Sequence, residues 1–195
     1  MYYLLESIDK YANTASVYGA FLKKLKRTAQ NNLILKPAEL IINEQYHEVF
    51  NEDINEVAKK VSGDILYLDP PYNHRQYATN YHLLETIAKY DNPKIHGKTG
   101  LREYQNQKSL YCSRTQVKKA FKDLILKAKA KYIFLSYNNE GLMTSDDIKE
   151  IMSLRGKYGH FTKEYSRFKA DRDENRDHKT NKTTEYLHYV VCKNL

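Results

Sequence analysis

Asp69-Pro70-Pro71-Tyr72 follows directly on the apolar run Ile65-Leu66-Tyr67-Leu68, which sets a carboxylate, a stiff backbone and an aromatic ring at the end of a strand. Open α/β sheets keep their ligands at that end. Consecutive prolines fix φ and donate no N–H, so the Pro70 carbonyl is left as an acceptor and Tyr72 is held in one direction. A carboxylate and a carbonyl beside an aromatic face can grip an amino group carried on a flat ring. The same residues also make a strand-terminating turn, and the tetrapeptide alone leaves both readings open.

The elements that must position this group alternate. Apolar periodicity predicts helices over Tyr2 to Tyr11 and Val17 to Ala29, the second with an N-cap at Ser16, and strands over His47 to Phe50 and Asp64 to Leu68. A helix from Ile54 to Lys60, ending near Ser62-Gly63, separates those strands, and another runs from about Tyr77 to Lys89 before Asn92-Pro93. Residues 31–44 contain Pro37 and fit no element. From Thr115 to Lys129 a helix carries Val117, Ala120, Phe121, Leu124, Ile125 and Ala128 on one face and feeds a strand over Tyr132 to Ser136. Strand, helix, strand is the βαβ unit of a doubly wound sheet. Ser145-Asp146-Asp147 opens a helix through Leu154, and Phe161 to Phe168 and Thr184 to Val191 read as two antiparallel strands. The charged segment Lys169 to Lys182 between them reads as solvated disorder, with DNA contact as the alternative.

Two further segments extend the match beyond the tetrapeptide: Asn73-His74-Arg75-Gln76-Tyr77-Ala78-Thr79-Asn80-Tyr81-His82-Leu83-Leu84-Glu85-Thr86-Ile87, and Phe134-Leu135-Ser136-Tyr137-Asn138-Asn139-Glu140-Gly141. With Asp-Pro-Pro-Tyr, they resemble the Dam-type adenine-specific DNA methyltransferases of restriction-modification systems. The resemblance runs from about Ala12 to His188 and includes Arg167-Phe168-Lys169-Ala170, to which no role is attached. It implies an α/β, Rossmann-like S-adenosylmethionine-dependent methyltransferase fold with a C-terminal antiparallel hairpin, and N6-methylation of adenine in double-stranded DNA.

An exocyclic amine conjugated to a purine is a poor nucleophile, and accepting hydrogen bonds from both its N–H groups draws the lone pair out of the ring. By resemblance, Asp69 and Pro70 do this and Tyr72 stacks the flipped base, offsetting a few kcal/mol of lost stacking. Tyr137 walls the base pocket by the same likeness. Tyr77, Asn80 and Tyr81 lie beside the S-adenosylmethionine, and no metal is needed because the sulfonium is already activated. Asp53 has two compatible readings: a helix N-cap or, by resemblance, a contact to the cofactor's adenine ring. RNA or protein methylation is the runner-up. Protein glutamine methylases resemble this motif with Asn at position 69, so Asp69 favours a nucleobase.

Methylases of this kind begin with a Phe-x-Gly-x-Gly loop for the amino-acid end of the cofactor. The seven glycines here, Gly19, Gly63, Gly97, Gly100, Gly141, Gly156 and Gly159, contain no Gly-x-Gly. We therefore expect a fold incomplete at its N-terminus: residues 1–46 as a helical segment, read as a remnant of a target-recognition region, and residues 47–195 as the catalytic half. An N-terminal methylase fragment is the expected partner if the enzyme is split, and a truncated fragment that binds DNA or a partner without catalysis is the alternative.

With 195 residues and a formal net charge of +8, the composition suits one domain and a phosphate-rich partner. Lys23-Lys24-Leu25-Lys26-Arg27 concentrates that charge, either toward DNA or as a solvated helix face. His96 to Ser109 reads as a loop without an element, with Lys98, Arg102 and Lys108 on DNA phosphates or as a mobile surface loop. Its Gly97-Lys98-Thr99 lacks the leading glycine and four-residue gap of a phosphate loop. Eighteen tyrosines fit base stacking and an AT-rich coding sequence equally. Cys112 and Cys192 suggest neither a disulfide framework nor a zinc site, and with no stretch of about 18 apolar residues the expected setting is the cytoplasm.

Overall fold

The computed structural model describes residues 1–14, 17–20, 22–37, 39, 42–166 and 182–193. Ser16, most of the charged Lys169 to Lys182 segment and Arg167-Phe168-Lys169-Ala170 lie outside them. The described residues form two compact units, Met1–His47 with Arg75–Lys108, and Glu48–His74 with Ser109–Leu195.

The second unit is a mixed α/β structure around one four-stranded sheet. The strands are β1 (Ser62–Leu68), β4 (Lys129–Asn138), β5 (Gly156–Ser166) and β6 (Lys182–Cys192), in the order β1-β4-β6-β5. β1 and β4 are parallel, with Ile65 opposite Tyr132 and Leu68 opposite Leu135, while β6 is antiparallel to both β4 and β5. The connection between parallel strands ends in α5 (Val117–Lys127), as the βαβ expectation requires. All six residues predicted on its apolar face are buried, against Ile133, Leu135 and Val190 of the sheet and Ile148, Ile151 and Met152 of α6 (Ser145–Ser153). Thr144 caps α6, its hydroxyl accepting from the Asp147 N–H while Asp147 accepts from the Thr144 N–H. The terminal antiparallel pair is longer than the apolar alternation alone marked, because its polar residues take part in the ladder.

Predicted and observed bounds coincide for α2 (Ile54–Lys60). Asn55 secures it: its amide donates to the Ala120 carbonyl and Asp123, both at 2.9 Å, and its carbonyl accepts from the buried Tyr111 hydroxyl at 2.9 Å. The strand expected over His47 to Phe50 is absent. Strand identity needs a neighbour, and Val49 stands 95% exposed with none.

In the first unit, α1 (Tyr2–Tyr11) has its predicted bounds. The helix expected over Val17 to Ala29 does not form; only a short 3-10 turn, Arg27–Gln30, appears. Side chains take its backbone groups instead. Asn13 donates to the Leu22 carbonyl and accepts from the Lys26 N–H, both at 3.0 Å, and Thr14 bonds both ends of Val17. The basic stretch is therefore no helix face, and the Lys26 ammonium folds back onto the Thr14 carbonyl. The expected Tyr77 to Lys89 helix breaks into α3 (Tyr77–Asn80) and α4 (His82–Lys89). At the break the Asn80 carbonyl accepts from the Tyr18 N–H at 2.6 Å, and buried His82 lies 3.1 Å from the Tyr18 carbonyl. Within the segment expected to hold no element, a hairpin of β2 (Ile95–His96) and β3 (Leu101–Arg102) forms, too short to leave a periodic signal.

One buried titratable group makes the second unit sensitive to acid. The imidazole of His188 is 1% exposed on β6, between Tyr186, His160 and Tyr158, whose hydroxyl lies 2.7 Å from Nδ1. Burial, reinforced by His160, lowers its pKa from 6.5 to about 4. The folded state thus favours neutral imidazole, and its contribution is complete above pH 6.5 and declines as the pH falls toward about 4. Urea unfolding between pH 7 and pH 4 should show a loss on the order of 3 kcal/mol from this group. In His188→Leu the slope in that window should shrink, whatever the variant's absolute stability.

Candidate active site

β1 ends where it does because Pro70 and Pro71 have no N–H to continue a ladder. Parallel pairing with β4 carries the chain beyond Leu68 to the same edge as the chain beyond Asn138. The two turns are tied there. The Leu142 N–H donates to the Tyr72 carbonyl at 2.9 Å, and the Tyr72 ring meets the Tyr137 ring edge-on, with centroids 6.3 Å apart at 80°.

Tyr137 is the fixed half of that pair. Its ring is 2% exposed, and its hydroxyl accepts from the Met143 N–H at 3.3 Å. Burial raises its pKa, so it stays a neutral phenol. The turn passes so close that a Cβ at Gly141 would lie 2.1 Å from the ring. Asn138 completes the turn, its side chain accepting from the Glu140 N–H and its carbonyl from the Gly141 N–H. Over this buried platform Tyr72 is 38% exposed, Asp69 is exposed and Pro70 is half-buried. An acceptor carboxylate, an acceptor carbonyl and an open aromatic face thus share one turn, in the combination that a ring-borne amine requires.

Asp53 is the N-cap of α2, accepting from the Asn55 N–H at 2.8 Å, and remains exposed. The remaining expected residues lie in the first unit. Tyr77 and Tyr81 face each other edge-on across α3, with centroids 5.8 Å apart, and Asn80 ends that helix. Lys98 is exposed in the turn between β2 and β3, where Gly97 and Gly100 take φ of 68° and 69°. Lys108 is exposed with its ammonium 5.6 Å from the Tyr104 ring centroid. Arg102 differs: it is 8% exposed and gives both terminal guanidinium nitrogens to Asp91, at 3.1 and 2.5 Å, so its charge is engaged by the segment between α4 and the hairpin.

Two anchors of the turn were missed in the sequence. Leu142 acts through its backbone N–H and leaves no signal in its residue type. Gly141 stands at the end of a segment that sequence analysis had singled out, but the reason for a glycine is visible only once the Tyr137 ring is placed. Gly141→Ala must displace that ring or the turn. We expect a loss of about 1–3 kcal/mol in urea unfolding, together with a changed tyrosine environment in near-ultraviolet circular dichroism.

Comparison with known proteins gives the geometry its context. A family model described as D12 class N6 adenine-specific DNA methyltransferase matches residues 1–151. Type II methyltransferase M.NlaIII of Neisseria lactamica is 57% identical over 187 residues, covering 96% of this chain and 55% of the relative. Type II methyltransferase M.FokI of Planomicrobium okeanokoites is 41% identical over 190 residues, 96% of this chain and 29% of the relative. Type II methyltransferase M.CviAII of Paramecium bursaria Chlorella virus 1 is 37% identical over 192 residues, 97% of this chain and 56% of the relative. The chain therefore spans about half the length of the Neisseria and virus relatives and less of the Planomicrobium one. No solved structure matches significantly.

Proposed function

The chain belongs to the D12 class N6 adenine-specific DNA methyltransferase family, and from that premise we propose that it supplies the catalytic half of a site-specific DNA adenine N6-methyltransferase of a restriction-modification system. The observation that carries the reading is the tied turn: Asp69 exposed, Pro70 half-buried beside it, and Tyr72 held by Leu142 and Tyr137.

The Asp69 carboxylate and the Pro70 carbonyl accept the two N–H groups of the adenine amine and return its lone pair to nitrogen. Tyr72 stacks on the flipped base. Tyr137, too buried for broad contact with a base, is a positioning residue that sets the angle of Tyr72. Holding the amine in a near-attack geometry is the main catalytic contribution of these residues.

The methyl donor of this reading is S-adenosylmethionine, which supplies an electrophilic methyl group when bound. The residues present fit it in part. Asp53 keeps an exposed carboxylate while capping α2, and in the first unit Tyr77 and Tyr81 pair edge-on on α3, which Asn80 ends. No Gly-x-Gly backbone exists here for the amino-acid end. The same reading assigns the chain to a Rossmann-like fold completed by an N-terminal methylase fragment, working in the cytoplasm on double-stranded DNA. No helix among the described residues is long and apolar enough to cross a membrane. A second reading is a fragment that binds DNA or a partner without catalysis of its own.

Tritium transfer from labelled S-adenosylmethionine to adenine in mixed-sequence duplex DNA tests the reading, with the chain alone and co-expressed with the unmatched part of the Neisseria relative. Asp69→Ala should lower transfer about 10²-fold or more, and Tyr72→Phe should cost far less than Tyr72→Ala. Transfer by Asp69→Ala at the parent rate would overturn the assignment.

On the DNA side, exposed Lys98 and Lys108 are the phosphate contacts, and Arg102 serves by holding the hairpin that displays Lys98. Each lysine changed to Ala should weaken binding similarly across sequences and reduce the slope of log K against log salt by about 1. Fluorescence anisotropy between 50 and 200 mM salt, roughly the range over which counterion release dominates, measures both effects.

A further inference from the structure

α2 has seven residues, too few to be stable alone, so tertiary contacts must place it. Apolar packing supplies little of that placement: Ala58 is its one buried residue, and Ile54 is 38% exposed. What fixes α2 is the side chain of Asn55, which reaches both α5 and the 3-10 turn Leu110–Cys112. Its amide nitrogen donates to the Ala120 carbonyl and to Asp123, and its amide oxygen accepts from the Tyr111 hydroxyl. Reversing the amide would turn its oxygen toward a carbonyl and a carboxylate, so one orientation alone is bonded.

The partners of Asn55 are settled in charge as well. Tyr111 is 5% exposed, and burial, with the Asp53 and Asp123 carboxylates nearby, raises its pKa, so the hydroxyl remains a donor. Lys127 and Asn55 hold Asp123 ionised by lowering its pKa. A polar network satisfied in this way rigidifies and specifies one arrangement. The backbone N–H of the same Asn55 donates to Asp53 Oδ1 at 2.8 Å. One residue thus joins the network through its side chain and Asp53 through its backbone. Asp53 stays exposed, and the cap takes one of its oxygens, which leaves the other to accept from outside.

We propose that Asn55, Tyr111 and Asp123 are positioning residues for cofactor selectivity: they hold the Asp53 carboxylate at the angle at which it accepts the exocyclic amine of the methyl donor's adenine and repels a ring with a carbonyl in that place. The inference rests on the methyltransferase reading, which gives Asp53 its ligand, and deepens it by naming what in the fold makes the contact selective. An amine gives the carboxylate a proton to hold, whereas a ring carbonyl sets acceptor against acceptor. The two rings are told apart only as far as the carboxylate is kept from turning away. A carboxylate without the network would swing into water and lose the distinction.

The test is isothermal titration of the full chain, co-expressed with the unmatched part of the Neisseria relative, with S-adenosylhomocysteine and with its deaminated analogue S-inosylhomocysteine. The parent should prefer the adenine compound by on the order of 100-fold, since a site built to hydrogen-bond an N–H rejects an analogue that lacks it. Tyr111→Phe and Asn55→Ala should each lower that preference about tenfold, the scale of one hydrogen bond to a charged group. Asp53→Asn should abolish the preference, because an amide can turn either a donor or an acceptor to the ring. Tyr111→Phe added to Asp53→Asn should then change nothing further, as expected of residues that act through that carboxylate. Ile148→Val, in the same core under α6, should lower the urea midpoint and leave the preference unmoved.

The outcomes separate the two levels of the argument. A parent that binds neither compound, or a preference indifferent to Asp53→Asn, would sink the cofactor contact itself and the inference with it. A preference lost in Asp53→Asn but kept in both Tyr111→Phe and Asn55→Ala would overturn the inference alone. So would a loss in Tyr111→Phe that Ile148→Val reproduces or that persists in the Asp53→Asn background, since that is the mark of general packing.

Discussion

The parallel pairing of β1 with β4 is the constraint from which the site follows. Once Leu68 and Leu135 stand opposite one another, the two chains leave the sheet at the same edge and in the same direction. One continues into prolines that cannot extend a ladder, and the other into a turn closed over a buried tyrosine. Their meeting requires little more than the Leu142 N–H and the Tyr72 carbonyl. The catalytic turn is thereby held by a backbone hydrogen bond and a ring contact, which leaves the Asp69 carboxylate uncommitted to structure and available for a ligand.

Rigidity is graded across this site. Tyr137 is enclosed by the turn at Gly141 and by the core that Leu135, Val117 and Phe121 build. Tyr72 is held at its backbone but open on its ring, and Asp69 is exposed. A stacking residue needs a fixed plane and a bare face at once, and an edge-on neighbour supplies the first without taking the second. The same division recurs at α2, where Asn55 spends its amide on α5 and Tyr111 while Asp53 caps the helix and keeps its carboxylate at the surface.

What was legible in the sequence follows from how local each signal is. The α5 face could be read from six apolar residues at helical spacing because the sheet that buries them imposes the same period, and α1 and α2 had the bounds their patterns implied. Asp-Pro-Pro-Tyr was readable as a strand end because proline acts on its own backbone. Val17 to Ala29 failed for the opposite reason: Asn13 and Thr14, outside the pattern, captured the backbone groups a helix would have used. The break at Tyr81 likewise depends on Tyr18, distant in sequence. Arg102 looked like a free cation because nothing local foretold that Asp91 would engage it.

The sheet face away from α5 and α6 belongs with these cases, yet it was partly legible. Tyr67, Tyr132 and Phe134 sit in strands whose opposite parity carries Leu66, Leu68, Ile133 and Leu135, a pattern of sheets buried on both sides, whereas opposite Phe161 and Tyr189 the parity is mixed, with His160, Thr162 and His188. A sheet meant to face water alternates apolar with polar residues, and β1 does not. Its Ile65-Leu66-Tyr67-Leu68 run directs apolar side chains to both faces, although among the described residues of this unit helices pack on one. Strands that face solvent with such residues pay a hydration penalty that folding alone does not require. The run that led to the catalytic motif therefore carries two messages: its end is a site, and its apolar residues turn to both faces of the sheet.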